Sequence, residues 1–262
     1  MKHASEDLDS EIVGLPGGAK ALFTSRAHGN LSSVGGEHAE RGLAARERLR
    51  VALGLERLAR GYQVHGTVVC RVLPNRSSRA LRPESERQPD GDGPREEQGP
   101  PASEGPPDSE VQPDFEADGH AVAAGGVAAM VLAADCVPVV LGGGGAVAAL
   151  HAGWRGLRAG ILEEGVRALR ELGARGELEA IVGPCAGVCC YEVGEEVRGA
   201  FEGAHRVGRR IDLRAIAHQR LRAAGVARVG DVEACTICDE RYFSFRREGD
   251  AAGRQAGLAW LS

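Results

Sequence analysis

Val131-Leu132-Ala133-Ala134-Asp135-Cys136-Val137-Pro138 and Val147-Ala148-Ala149-Leu150-His151-Ala152-Gly153-Trp154-Arg155-Gly156 are the stretches that decide the fold. Each carries a short apolar run that reads as a buried strand, Val131–Ala133 in the first and Val147–Leu150 in the second. A thiol and an imidazole at the ends of two strands adjacent in sequence can meet at one sheet edge, where α/β folds place their chemistry. Beyond His151 the chain runs through Gly153 and Gly156 into a helical pattern. Free backbone N–H groups therefore gather beside Arg155, the outline of an anion site. The pattern predicts an enzyme.

Working outward, Ala21–Ser25 reads as an early strand, and Glu37–Leu53 as a helix presenting Ala45, Leu49, Ala52 and Leu53, stopped by Gly54. Thr67–Leu73 alternates as a strand, directly after Gln63-Val64-His65-Gly66. Strand signals resume at Val127, and a helix is expected over about 159–172 on Leu162, Val166 and Leu169. Ala180–Val182 is a short buried strand. Asp212 is an N-cap for a helix with Leu213, Ile216, Ala217 and Leu221 inward, closed by Gly225. Strands are expected at Tyr242–Phe245 and Gly257–Trp260. The loose alternation predicts a layered α/β or α+β fold in one domain spanning 1–262.

Residues 76–113 break the pattern. Prolines that include Pro94, Pro100, Pro101, Pro106 and Pro107, many acids and no aromatic residue make this stretch an acidic insertion, expected to be disordered, within one domain.

Among the 262 residues, 38 are glycine and only 4% are aromatic, so the core is expected to rest on close backbone packing of Ala, Val and Leu. A net charge of −5 argues against non-specific nucleic-acid or anionic-membrane binding. No apolar stretch reaches the length of a membrane span, and the acidic N-terminus has no signal-peptide pattern, so a cytoplasmic protein is expected, with a monomer preferred over an oligomer as a separate expectation. Seven cysteines form no even disulfide framework. Cys185, Cys189, Cys190, Cys235 and Cys238 offer a zinc-like Cys-x-x-Cys in 235–238, but the partner set is unusual, and small buried thiols are the preferred reading.

His65, Cys136 and His151 make a three-ligand set suited to zinc with a fourth position left for water. The competing readings are structural residues, or Cys136 as a nucleophile with His151 as its base. Arg26, Arg155, Arg246 and Arg247 each sit beside a strand or turn signal and suggest an anionic substrate group such as phosphate, with ordinary surface salt bridges as the competing reading for any one of them. Asp135 is a candidate for ligand orientation or proton transfer, and equally for capping the turn. His28, His38, His120, His205 and His218 lack a partner pattern and read as surface residues.

At Phe23-Thr24-Ser25-Arg26, Gln63–Gly66, Ala134–Pro138, His151–Gly156, Gly183-Pro184-Cys185-Ala186-Gly187, Cys189–Val193 and Phe243–Arg247 the chain resembles the YfiH/laccase-domain family. That family is also labelled multi-copper polyphenol oxidoreductase and was later reassigned to purine nucleoside chemistry. The resemblance implies a single-domain αββα sandwich similar to the catalytic domain of the cytotoxic necrotizing factors. It implies zinc at the residues matching His65, Cys136 and His151. It also implies phosphorolysis of adenosine, inosine and methylthioadenosine, with adenosine deamination. Two departures stand out: a shortened 27–36 segment lacking the family's Gly-Gly-Val-Ser and Ser-Leu-Asn-Leu-Gly pieces, and the acidic insertion. Copper enters by the older label alone. Laccase chemistry needs on the order of ten His ligands, and this chain has eight histidines with no His-x-His. A metal-free thiol hydrolase and a non-catalytic nucleoside-binding protein are the alternatives.

Overall fold

The computed structural model describes residues 12–33, 37–73, 115–201 and 205–262. The expected insertion at 76–113 and the N-terminal stretch lie outside the described residues. The strands run β1 (Val13–Gly14), β2 (Ala19–Phe23), β3 (Arg57–Ala59), β4 (Val69–Val72), β5 (Gly119–Val122), β6 (Val127–Ala133) and β7 (Val137–Gly143). They continue as β8 (Ala146–Ala152), β9 (Glu179–Val182), β10 (Arg206–Val207), β11 (Arg210–Ile211), β12 (Arg228–Asp231) and β13 (Gln255–Leu261). The helices are α1 (Glu37–Ala52), α2 (Trp154–Ala159), α3 (Ile161–Glu171), α4 (Glu195–Gly199), α5 (Leu213–Ala223) and α6 (Phe245–Glu248).

Two sheets carry the molecule. One has the order β1-β2-β13-β6-β3 and the other β12-β9-β7-β8-β5-β4, with β10-β11 a small separate ribbon. Strand alternation divides the core into three layers. Ala21, Phe23, Val127, Ala129, Val131, Val140, Val147 and Ala149 meet between the sheets. Their neighbours Leu22, Ala128 and Met130 face the other way, onto Ala45 and Leu49 of α1. Val139, Leu141, Ala148 and Leu150 face Leu162, Val166 and Leu169 of α3 and Ile216 and Leu221 of α5. Helix, sheet, sheet, helix is the resulting order, the layered α/β architecture expected. No helix among the described residues is long and apolar enough to cross a membrane.

Several expectations need correction. The helix expected over 159–172 begins at Trp154 and is split at Gly160, whose φ of 104° breaks the run into α2 and α3. In α1, Ala52 is exposed, whereas Arg46 is buried with its Nε donating to the Leu31 carbonyl at 2.7 Å. Tyr242–Phe245 is not a strand. The Gln255 amide pairs with both the N–H and the C=O of Phe243, and Ser244 caps α6, so side chains take the backbone groups a ladder would need. His120 is not on the surface: it lies buried in β5, and burial together with Arg60 pushes its pKa down to about 3. His28 accepts from the Ser25 N–H, and His218 pairs with Asp231 at 2.8 Å.

Candidate active site

β6 and β7 are consecutive in sequence yet belong to different sheets, so the turn Ala134-Asp135-Cys136 crosses from one sheet to the other. Asp135 makes the crossing at φ 88°, a conformation rarely held by a residue other than glycine unless its surroundings enforce it. The enforcement is visible. Its Oδ1 accepts from Thr236 Oγ1 at 2.6 Å, and its Oδ2 from Ser244 Oγ at 3.1 Å and the Arg246 N–H at 2.7 Å. A carboxylate so engaged holds the turn that presents Cys136.

His151 enters from β8, paired in register with Pro138 of β7. Its Nδ1 donates to Asp118 Oδ1 at 2.7 Å, which leaves Nε2 for other partners. The same Asp118 carboxylate accepts the backbone N–H groups of Val64, His65 and Gly66 at 3.1, 3.0 and 2.8 Å. One buried side chain thus shapes the 64–66 turn and orients His151. The turn is also tied to the other sheet, because the Gln63 amide exchanges two hydrogen bonds of 2.7 Å with the backbone of Leu132 in β6. His65 is held at φ 62° by these anchors.

The donor atoms of His65, Cys136 and His151 all lie within 4.8 Å of one another. Cys136 Sγ is 3.7 Å from His65 Nε2, and the two imidazoles meet edge to face with centroids 4.8 Å apart. Gly153 is required beside them: a Cβ there would stand 2.5 Å from His65 Cδ2 and 3.2 Å from Cys136 Sγ. Burial works against ionising Cys136, yet the charge and hydrogen bonds of His151 and His65 bring its thiol down to about 6. Burial likewise opposes a charged His151, but Cys136 and Asp118 outweigh it and raise the imidazole to about 9. For Asp118, burial is overcome by the His151 bond and by the backbone N–H donors, which hold the carboxyl below its usual range. Two nitrogens and one sulfur with a carboxylate behind one imidazole match the donor set and outer support of a metal centre open at its fourth position.

This trio lines a cleft of about 720 Å³. Of the four arginines expected at the site, the structure brings two to the cleft. Arg155 lies over Trp154 with its guanidinium carbon 4.3 Å from the ring centroid, and Arg246 lies 4.8 Å over Tyr191. Arg26 and Arg247 are instead both bound to Glu248, with Arg247 also donating to the carbonyls of Thr236, Ile237 and Tyr242. They brace the α6 turn. The sequence reading missed Arg46, Arg60 and Arg254, which also line the cleft, and Ser32 and Ser33, which bring the described end of the segment after Ala27 to its wall. Asp118 was missed as well.

The five expected thiols divide. Cys185 is buried, and burial raises it to about 11. Cys189 and Cys238 are exposed and Cys190 and Cys235 half-buried, against the expectation of buried thiols.

Comparison with known proteins places these features in context. The sequence profile described as "Multi-copper polyphenol oxidoreductase laccase" matches residues 17–262. A protein of Xylella fastidiosa (strain Temecula1) named purine nucleoside phosphorylase is 35% identical over 265 aligned positions, 94% of this chain and 88% of that protein. Escherichia coli purine nucleoside phosphorylase YfiH is 38% identical over 149 positions, 52% of this chain and 60% of its own. Among solved structures, Neisseria meningitidis NMB0706 superposes with a TM-score of 0.72 at 28% identity, covering 96% of this chain and 99% of that one. YlmD of Geobacillus stearothermophilus gives 0.68 at 26% identity, covering 94% and 92%.

Proposed function

The chain belongs to the multi-copper polyphenol oxidoreductase laccase family, and from that premise we propose that it is a zinc-dependent purine nucleoside phosphorylase that also deaminates adenosine. The observation that carries this reading is the convergence of His65, Cys136 and His151 in a cleft that also holds arginines and aromatic rings. The relatives named purine nucleoside phosphorylase support the substrate class.

In this reading His65 Nε2, Cys136 Sγ and His151 Nε2 hold the metal, and zinc suits a mixed imidazole and thiolate set. Zinc, when bound, supplies a Lewis acid that activates water near neutral pH, the chemistry that deamination at C6 of adenine requires. The rest falls to this chain's side chains. Tyr62 and Phe245 line the cleft together with Trp154 and Tyr191, whose rings carry the Arg155 and Arg246 guanidiniums, and this aromatic surface suits a purine. Arg155 and Arg246 offer guanidinium donors that fit a phosphate and set it against the ribose C1′. Asp118 keeps His151 in the tautomer that frees Nε2. Asp135 keeps Cys136 in place.

Copper oxidase chemistry finds less support. Among the described residues, the groups able to hold a metal are this trio and one set of four cysteines, and neither resembles a multinuclear histidine-rich centre. The nearness of Cys136 to two imidazoles does favour one second reading, a thiol hydrolase.

Incubation with adenosine and phosphate separates them. Adenine, ribose 1-phosphate, inosine and hypoxanthine are expected by chromatography, all abolished by a chelator strong enough to strip the protein. Activity on acyl substrates that survives stripping and is lost to alkylation of Cys136 would replace the proposal with the hydrolase.

A further inference from the structure

Cys189, Cys190, Cys235 and Cys238 come from two segments far apart in sequence, and their four sulfurs all lie within 4.8 Å of one another. We propose that these four cysteines form a second metal centre, a structural tetrathiolate site for zinc, separate from the His65/Cys136/His151 trio.

The geometry is that of a cage. Four sulfurs bound tetrahedrally at about 2.3 Å from zinc stand about 3.8 Å from one another. Cys238 Sγ lies 2.9 Å from Cys190 Sγ and 3.5 Å from Cys189 Sγ, so a small adjustment satisfies the tetrahedron. Because Cys238 is within reach of two partners at once, the arrangement converges on a point and does not resolve into two disulfide pairs.

Each segment is a tight turn built to present sulfur. In the first, the N–H groups of Cys190 and Tyr191 both return to the Gly187 carbonyl, at 3.0 and 2.9 Å. In the second, Cys235-Thr236-Ile237-Cys238 closes with the Asp239 N–H on the Cys235 carbonyl at 2.9 Å. The Gly187 N–H points at Cys235 Sγ from 3.2 Å, a donor that favours thiolate over thiol. A Cβ on Gly187 would meet Cys189 Sγ at 3.2 Å and Cys235 Sγ at 3.3 Å, so glycine lets the backbone approach both sulfurs. Four soft anionic ligands and no oxygen donor select zinc over magnesium or calcium.

The site also has a task. Tyr191, next to Cys190, forms part of the cleft wall, and Thr236, next to Cys235, donates to the Asp135 carboxylate behind Cys136. A metal joining the two turns fixes both from outside the cleft. This inference does not rest on the proposed reaction.

Metal analysis of chain purified without chelator tests it, using Cys136→Ala to remove the first site. The expected result is two zinc ions per unmutated chain, one in Cys136→Ala, and none when Cys189→Ser and Cys238→Ser are added. Cobalt loaded into Cys136→Ala should show the intense near-ultraviolet sulfur-to-metal absorption of a tetrathiolate. That reading involves no substitution among the four cysteines, so a folding failure of the serine variants leaves it intact. Cys136→Ala that binds neither zinc nor cobalt while its four thiols alkylate freely would overturn the proposal. So would an intact mass showing those cysteines joined as disulfides, or iron in place of zinc in the purified chain.

Discussion

Asp118 accepts four hydrogen bonds, one from the His151 ring and three from consecutive backbone N–H groups around His65, while its own side chain is closed off from solvent. A single carboxylate therefore sets the position of two of the three donors in the trio. An amide offers one acceptor oxygen in place of two and turns N–H donors toward the 64–66 turn.

Asp118→Asn should accordingly weaken metal binding at the trio by roughly 10- to 100-fold, the usual cost of losing an outer partner of a metal-bound histidine. Competition with a chromogenic chelator measures it. An unchanged affinity would show that Asp118 serves the fold alone.

Gly153→Ala attacks the trio by steric means. The added methyl would sit 2.5 Å from His65 Cδ2, and the backbone there follows β8 with little room to retreat. Metal affinity is expected to fall at least tenfold while the far-ultraviolet circular dichroism stays that of the unmutated chain. Full metal occupancy in this variant would mean that His65 is not a ligand.

The trio itself was legible in the sequence because His65, Cys136 and His151 each close an apolar run or begin a glycine-marked turn. Asp118 was not, since it stands alone before a short strand and its role depends on β5 lying beside β8. Arg26 and Arg247 looked like phosphate ligands because a sequence shows cations but not the Glu248 that both of them face. Arg46 sits in the middle of a helix whose composition reads as surface, and only the packing of α1 over Leu31 turns it inward. The four cysteines failed the usual spacing test because two are adjacent in sequence. Their convergence comes from two turns brought side by side, where Cys185 pairs with Cys235 in an isolated bridge.

Glu248 gives a prediction in pH. Burial raises its pKa, but Arg26 and Arg247 outweigh that and hold the carboxyl below the ordinary glutamate value of 4.5. A depressed folded-state pKa contributes stability above the unfolded value that is lost as pH falls through the folded one. Glu248→Gln should cost about 1 kcal/mol at pH 7, a fall of roughly 2–4 °C in Tm for a domain of this size. The gap to the unmutated chain should narrow in melting curves recorded at successively lower pH below 4.5, as the unmutated carboxyl also protonates. A gap that persists there would assign the loss to packing.

The final prediction separates the arginines by task. Arg155 projects from the first turn of α2 with its side chain 59% exposed, stacked on Trp154 and 3.5 Å from Glu196, so its guanidinium faces the cleft mouth without a strong competing partner. Arg247 spends its donors on three carbonyls and Glu248. If Arg155 holds phosphate, Arg155→Ala should raise the phosphate KM or lower the phosphorolysis rate by about 1.5 kcal/mol, roughly tenfold, the lower end for a hydrogen bond to a charged group because the site is open to water. Adenosine deamination, which consumes water and no phosphate, should change by less than about twofold. Arg247→Ala should do the reverse: it should lower Tm and leave the phosphate KM alone. Steady-state kinetics of both reactions on both variants decide the matter. Equal loss of phosphorolysis and deamination in a folded Arg155→Ala protein would place that guanidinium on the nucleoside, and a raised phosphate KM in Arg247→Ala would return that residue to the anion site.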